Sequence, residues 1–166
     1  MLFRSVDNAT SGCNAVLRAW DFAPGDEILV TDHGYGAVTM AAQYAAARAG
    51  ATVRTLTLPW PTITPESALA AVVEALGPST RMLVIDHVTS GSALILPIAA
   101  IAEACRERGV VTLIDGAHAP GMLPLDLPSL GCDLYTGNLH KWAMSPRSSA
   151  ILWVRREWHA RVRPTV

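Results

Sequence analysis

Val110-Val111-Thr112-Leu113-Ile114-Asp115-Gly116-Ala117-His118 is a mostly apolar, β-favouring run that ends on a carboxylate, a glycine and a histidine. A continuous apolar run bounded by glycine is the pattern of a strand covered on both faces, as in a parallel sheet. Just upstream, Ile98, Ile101, Ala102 and Cys105 repeat at helical spacing, with Arg106 and Arg108 in the last turn and Gly109 as the residue that stops the helix. A helix feeding a buried strand is the repeating unit of an α/β fold.

The same alternation extends outward in both directions. Glu27–Thr31, Thr52–Leu56, Met82–Asp86, Asp133–Thr136 and Ala150–Val154 read as further strands, and the N-terminal stretch from Met1 reads as the end of another. Leu69, Val72, Val73 and Leu76 fall on one helical face behind a Thr64-Pro65 start, which supplies an N-cap and an N1 proline. Ala37–Ala49 is alanine-rich enough to pack closely on a sheet. The expected fold is α/β, a mostly parallel sheet with helices on both faces, and 166 residues suit one domain.

Composition narrows the function classes. The chain is 51% hydrophobic and 16% charged, which points to a sheet covered on both faces, to surface buried against a partner, or to both. A net charge of −1 without a basic block argues against nucleic acid and anionic membranes. The longest apolar stretch, Ala93 to Ala102, contains Pro97 and is too short to span a bilayer. Cys13, Cys105 and Cys132 are scattered without CxxC spacing and read as reduced thiols of a cytoplasmic protein.

Polar residues gather where the strands end, the edge at which open α/β sheets bind ligands. Asp32-His33, Asp86-His87-Val88-Thr89-Ser90, Asp115-Gly116-Ala117-His118 and Asn138-Leu139-His140-Lys141 each follow a strand, and Thr10-Ser11-Gly12 stands before the first helix. Lys141 is the sole lysine; the other 12 of the 13 basic residues are arginines. A desolvated lysine amine attacks carbonyls, which is how Schiff-base enzymes hold pyridoxal phosphate (PLP). Asp115 would be costly to bury without a cation, and a protonated pyridine nitrogen is such a cation. Thr10 and Ser11 offer hydroxyls and N–H groups to a phosphate, or they simply cap the helix. His33 is a candidate to stack on the ring and His118 to bond its hydroxyl.

Together these motifs resemble the class V aminotransferase family of fold-type I PLP enzymes, in the branch described as isopenicillin N epimerase-like. The likeness runs from Asn8-Ala9-Thr10 through Thr31-Asp32-His33-Gly34-Tyr35-Gly36 and Asp86-His87-Val88-Thr89-Ser90. It continues in Ile114-Asp115-Gly116-Ala117-His118 and Gly137-Asn138-Leu139-His140-Lys141-Trp142, and ends in Ala150–Val154. The resemblance implies that Lys141 carries the Schiff base, Asp115 pairs with the pyridine nitrogen and His33 stacks on the ring. It further implies that His118 lies near the phenolate oxygen, that Thr10, Ser11, His140 and Asn138 lie near the phosphate, and that Ser90 touches the cofactor. Gly91-Ser92 departs from the Pro-Thr usual in that branch, and Ser148 from a glycine. An amino-acid substrate, a homodimer and no bound metal are implied as well.

Members of the family are more than twice this length. Residues 1–166 are therefore expected to be the central, PLP-binding part of a large domain. An N-terminal segment and a C-terminal small domain, which in relatives carries the arginine for the substrate carboxylate, are expected to be absent. Epimerisation, transamination and C–S cleavage (a cysteine desulfurase or lyase) all remain open, as does an inactive fragment or partner subunit. A metal-dependent hydrolase built on His33, His87, His118, Asp32 and Asp115 lacks any ligand spacing to support it. A dinucleotide site lacks its third glycine, which is Thr39 here, and no GxSxG surrounds Ser90 or Ser92.

Overall fold

The structure, a computed structural model, describes residues 2–162. Arg163-Pro164-Thr165-Val166, which by sequence follow the last strand with no closing helix, lie outside them. Seven strands, β1 (Leu2–Val6), β2 (Glu27–Thr31), β3 (Thr52–Leu56), β4 (Thr80–Asp86), β5 (Val111–Asp115), β6 (Leu134–Asn138) and β7 (Ala150–Val154), form one sheet in the order β1-β7-β6-β5-β4-β2-β3. Pairing is parallel from β3 through β6, and only β7 runs against its neighbours β6 and β1. The fold is the α/β type with a mostly parallel sheet that the sequence led us to expect.

Alternation along the strands builds two cores. On one face Ile28, Val30, Met82, Val84 and Leu113 pack against α1 (Ala9–Ala19) and α2 (Gly36–Ala49), through Cys13, Val16, Leu17, Val38, Ala42 and Ala46. On the other, Leu29, Leu83, Ile85, Ile114 and Tyr135 meet α3 (Pro65–Ala75) and α4 (Ile98–Glu107). Every residue of β2, β5 and β6 is buried, as the continuous apolar runs require. Edge strand β3 is half exposed, and its Arg54 closes an ion pair of 2.6 Å with Glu27.

Local signals explain the helix ends. Thr64 and Ser67 form a reciprocal capping box with Pro65 in the first turn of α3. Gly50 and Gly109 adopt φ of 69° and 68° after α2 and α4, a conformation that costs a side chain dearly. Helix α1 begins at Ala9, four residues earlier than expected, so Thr10, Ser11 and Gly12 lie inside its first turn rather than before it. A Cβ on Gly12 would lie 2.5 Å from the Thr136 hydroxyl oxygen, so the glycine brings α1 against β6.

Gly116 is the tightest of the described glycines, because a Cβ would overlap the ring and hydroxyl of Tyr135, which is itself bonded at 2.9 Å to His87 Nδ1. Gly116→Ala is expected to cost about 2–3 kcal/mol through overpacking. Urea denaturation measures this, with partial recovery expected when Tyr135→Phe removes the hydroxyl.

Candidate active site

Strands β4, β5 and β6 end side by side, and the N-terminus of α1 faces their carboxyl ends across a cavity of about 670 Å³. Lys141, in the loop after β6, lines it together with Asp115 and His118. Thr10, Ser11, Asn138, His140 and Ser90 line it as well, so eight of the nine residues singled out from sequence meet in one place.

The α1 end leaves polar groups free on the cavity. Asn8 is the N-cap, its side chain accepting from Ser11 N at 2.8 Å, and Asn138 Oδ1 accepts from Ala9 N at 2.8 Å. Thr10 and Ser11 are thereby relieved of the capping role that competed with ligand binding. Among the described residues the Thr10 N–H and both hydroxyls have no protein partner, and they sit at the positive end of the helix dipole. His140 turns Nδ1 towards the Ser149 carbonyl at 3.1 Å.

Asp115 is 1% exposed at the end of β5, and Oδ1 accepts from Ala117 N at 3.0 Å. Burial drives its carboxyl pKa up, and the Ala117 N–H and the Lys141 charge offset part of that rise. Asp86 stands opposite it in register at the end of β4 and is also buried. Its carboxyl is pushed up to about 8, first by burial and then by the Asp115 charge. The backbone N–H groups of Tyr35 and Ser90 and the Lys141 charge pull the other way. His118 bridges two neighbours: Nε2 lies 3.1 Å from Lys141 Nζ, and Nδ1 accepts from Trp142 Nε1 at 3.1 Å.

His33 does not line this cavity but an adjoining one that shares Tyr35 and Ser90 with it. The turn after β2 that places it there is closed by Gly34 N donating to Thr31 O and by Asp32 Oδ1 accepting from Leu58 N. Its Nδ1 meets Ser92 Oγ at 2.7 Å and its ring lies 5.6 Å from that of Trp60. Tyr35, two residues on at the N-cap of α2, is the aromatic side chain lining the cavity. Sequence reading missed Tyr35, Asn14, Arg18 and the partnership of Asp86 with Asp115. Ser11, Asn14 and Arg18 follow i, i+3, i+7 spacing, so one face of α1 was legible in principle.

The donor set fits a PLP-like group. A buried carboxylate without a protein cation bonded to it matches a pyridinium. Free N–H and hydroxyl groups at a helix start match a phosphate, and an amine on the same cavity matches an aldehyde. Among the described residues, no group of three His, Cys, Asp or Glu side chains is placed to hold a metal.

An α/β sheet with a lysine, an aspartate and a helix N-terminus around one cavity defines a class of cofactor-holding folds. A profile of the aminotransferase class-V family matches residues 5–166, and the chain belongs to that family. It is 39% identical to "Putative L-cysteine desulfhydrase 1" of Oryza sativa subsp. japonica over 166 residues, covering 92% of this chain and 34% of that protein. It is 40% identical to "Isopenicillin N epimerase" of Streptomyces clavuligerus over 145 residues, covering 87% of this chain and 36% of that protein. A solved structure of a C-DES variant, with glycine covalently linked to its PLP cofactor, superposes with a TM-score of 0.91 at 33% identity. That match covers 98% of this chain and 43% of C-DES. The chain thus spans about a third of the length of the curated relatives it matches.

Proposed function

We propose that residues 1–166 are the PLP-holding part of a large domain, in an enzyme that acts on an amino acid through a Schiff base on Lys141. The observation that carries this is the meeting of the sole lysine with buried Asp115 and the free N-terminal groups of α1 on one cavity. The PLP of C-DES and the family membership support it.

In this reading the Lys141 amine, the group on this cavity that reacts with aldehydes, would hold the cofactor covalently. The buried Asp115 carboxyl would pair with a protonated pyridine nitrogen. Thr10, Ser11, Asn138 and His140 hold the phosphate at the α1 dipole, and His118 and Ser90 hold the ring's polar edge. Bound PLP supplies an electron sink that makes the Cα–H of an attached amino acid acidic. The Lys141 amine, on the same cavity, would be the base that takes the Cα proton. Returning that proton to the opposite face gives an epimerase, and losing a sulfur substituent gives a C–S lyase; relatives of both kinds match at similar identity. A cytoplasmic homodimer, completed by the polypeptide that relatives have beyond this span, is part of the same proposal.

The test is to add PLP to the full chain, reduce with borohydride and map the adduct, which is expected on Lys141. An adduct confined to the N-terminal amine would sink the reading. Sulfide release from L-cysteine, set against α-deuteration of L-amino acids in heavy water, then separates the lyase from the epimerase.

Tyr35 takes the aromatic role first given to His33. Face contact with an aromatic ring is worth about 0.5–1.5 kcal/mol, so Tyr35→Ala is expected to weaken PLP binding about three- to tenfold. Tyr35→Phe should hold it near the original value, and His33→Ala should leave it unchanged. Fluorescence titration with PLP distinguishes the two residues.

A further inference from the structure

A second cavity of about 670 Å³ adjoins the one that Lys141 lines, and the two share Tyr35 and Ser90. The backbone N–H groups of both shared residues face the Asp86 carboxyl, so the cavities meet at the end of β4. Asp32, His33, Trp60, Gly91 and Ser92 line the second cavity. Its polar wall is held in place: Leu94 N donates to Thr89 Oγ1 at 2.8 Å, and Thr89 Oγ1 lies 2.8 Å from Ser92 Oγ. Ser92 Oγ in turn lies 2.7 Å from His33 Nδ1, and among the described residues His33 Nε2 has no protein partner. Trp60, two residues past the Leu58 N–H that Asp32 accepts, lays its ring 5.6 Å from that of His33 and stays 55% exposed. Gly91 and Gly36 leave room in the same cavity. A Cβ on either would meet open space, and neither has a positive φ.

We propose that this annex receives the side chain of the amino-acid substrate, and that Trp60, Gly91 and Ser92 select a long side chain with an uncharged hydrogen-bonding end over a short or an acidic one. Size argues first. A side chain as short as that of cysteine would leave the annex empty, whereas one reaching past Cγ would bury its methylenes against Trp60 and Tyr35. Charge argues next. Among the described residues the lining carries the Asp32 carboxylate and neither a lysine nor an arginine, so an acidic end would meet repulsion with no cation to offset it. An amide end would find hydroxyls and an imidazole, which both donate and accept. Gly91 and Ser92 are also where the sequence departs from the Pro-Thr of the branch that it resembles, and proline and threonine are both bulkier. The departure therefore enlarges the annex and leaves the cavity around Lys141 and Asp115 as it was. The inference rests on the reading of that cavity as the cofactor site.

Phosphopyridoxyl amino acids, stable compounds in which a single carbon–nitrogen bond joins the cofactor to the amino acid, probe the annex without catalysis. Calorimetry of the cofactor-free full chain is expected to show the L-glutamine compound binding about tenfold tighter than the L-alanine compound, as one or two methylenes in a pocket imply. The L-glutamate compound, of the same shape as glutamine, should bind several-fold more weakly than it. Gly91→Leu fills the annex at a backbone position open to a side chain. It is expected to erase the advantage of glutamine and to leave alanine binding within about twofold. Gly36→Leu, on the other loop, should do the same, and retained binding of the alanine compound reports that each variant is folded. Glutamine and alanine compounds that bind the wild type alike overturn the proposal, as they would if flanking polypeptide filled the annex. A glutamate compound as tight as glutamine, or a glutamine preference that both folded variants keep, overturns it equally. Failure of the cofactor-site reading is seen separately: no compound binds, alanine included, borohydride and PLP leave residue 141 unmodified, and the annex proposal falls with it.

Discussion

Lys141→Ala is expected to abolish both the PLP absorbance near the visible edge and the borohydride-fixed adduct, while leaving the fold intact. Both signals require a carbon–nitrogen bond to an amine, and with no other lysine in the sequence only the N-terminal amine, away from the cavity lining, is left to react. Lys141 is exposed in a loop, and its described contact is with His118, so truncation should change stability by no more than about 0.5 kcal/mol. Thr10, Ser11 and the α1 dipole remain, so weak non-covalent uptake of PLP should survive, as in sites where helix N-termini hold phosphates. Absorbance and mass spectrometry of matched wild-type and variant samples decide the matter. A variant with the wild-type band would remove Lys141 from the chemistry.

The parts of this fold visible in the sequence were those governed by burial alone. Strands β2, β4 and β5 are continuous apolar runs because helices cover both faces, and the runs end on Asp86 and Asp115 because the sheet ends there. Lys141 and Asp115 stood out for the same reason: polar residues directly after buried strands have few places to go. What stayed hidden depended on turn geometry. Between β2 and α2 the chain passes His33 and Tyr35, and composition gives no hint that hydrogen bonds to Thr31 and Leu58 turn the first away and leave the second on the cavity. Asn8, Thr10 and Ser11 are all competent caps, and only the structure shows that Asn8 takes the position. Strand register, too, is absent from a linear reading. Asp86 and Asp115 lie 29 residues apart in the sequence, yet they face each other across one β4–β5 pair.

That pairing gives the protein a pH-dependent weakness that a single substitution should remove. Neighbouring parallel strands lie about 4.8 Å apart, so two buried carboxyls in register resist carrying two negative charges at once. Asp86 is the one held neutral, its carboxyl pushed up to about 8. An acid whose folded pKa is raised keeps its proton in the native state while the unfolded chain loses it near pH 4. The native state then binds more protons than the unfolded one. Stability therefore falls as pH rises from about 4 to about 8 and levels off above that range. With about 1.4 kcal/mol for each unit of displacement, the full penalty is on the order of 5 kcal/mol. Asp86→Asn mimics the protonated acid and cannot ionise. The variant should match the wild type within about 1 kcal/mol near pH 4 and exceed it by several kcal/mol near pH 8. Urea denaturation of the cofactor-free chain across that range measures the difference. A gap that stays flat with pH would mean that Asp86 is ionised in the native state.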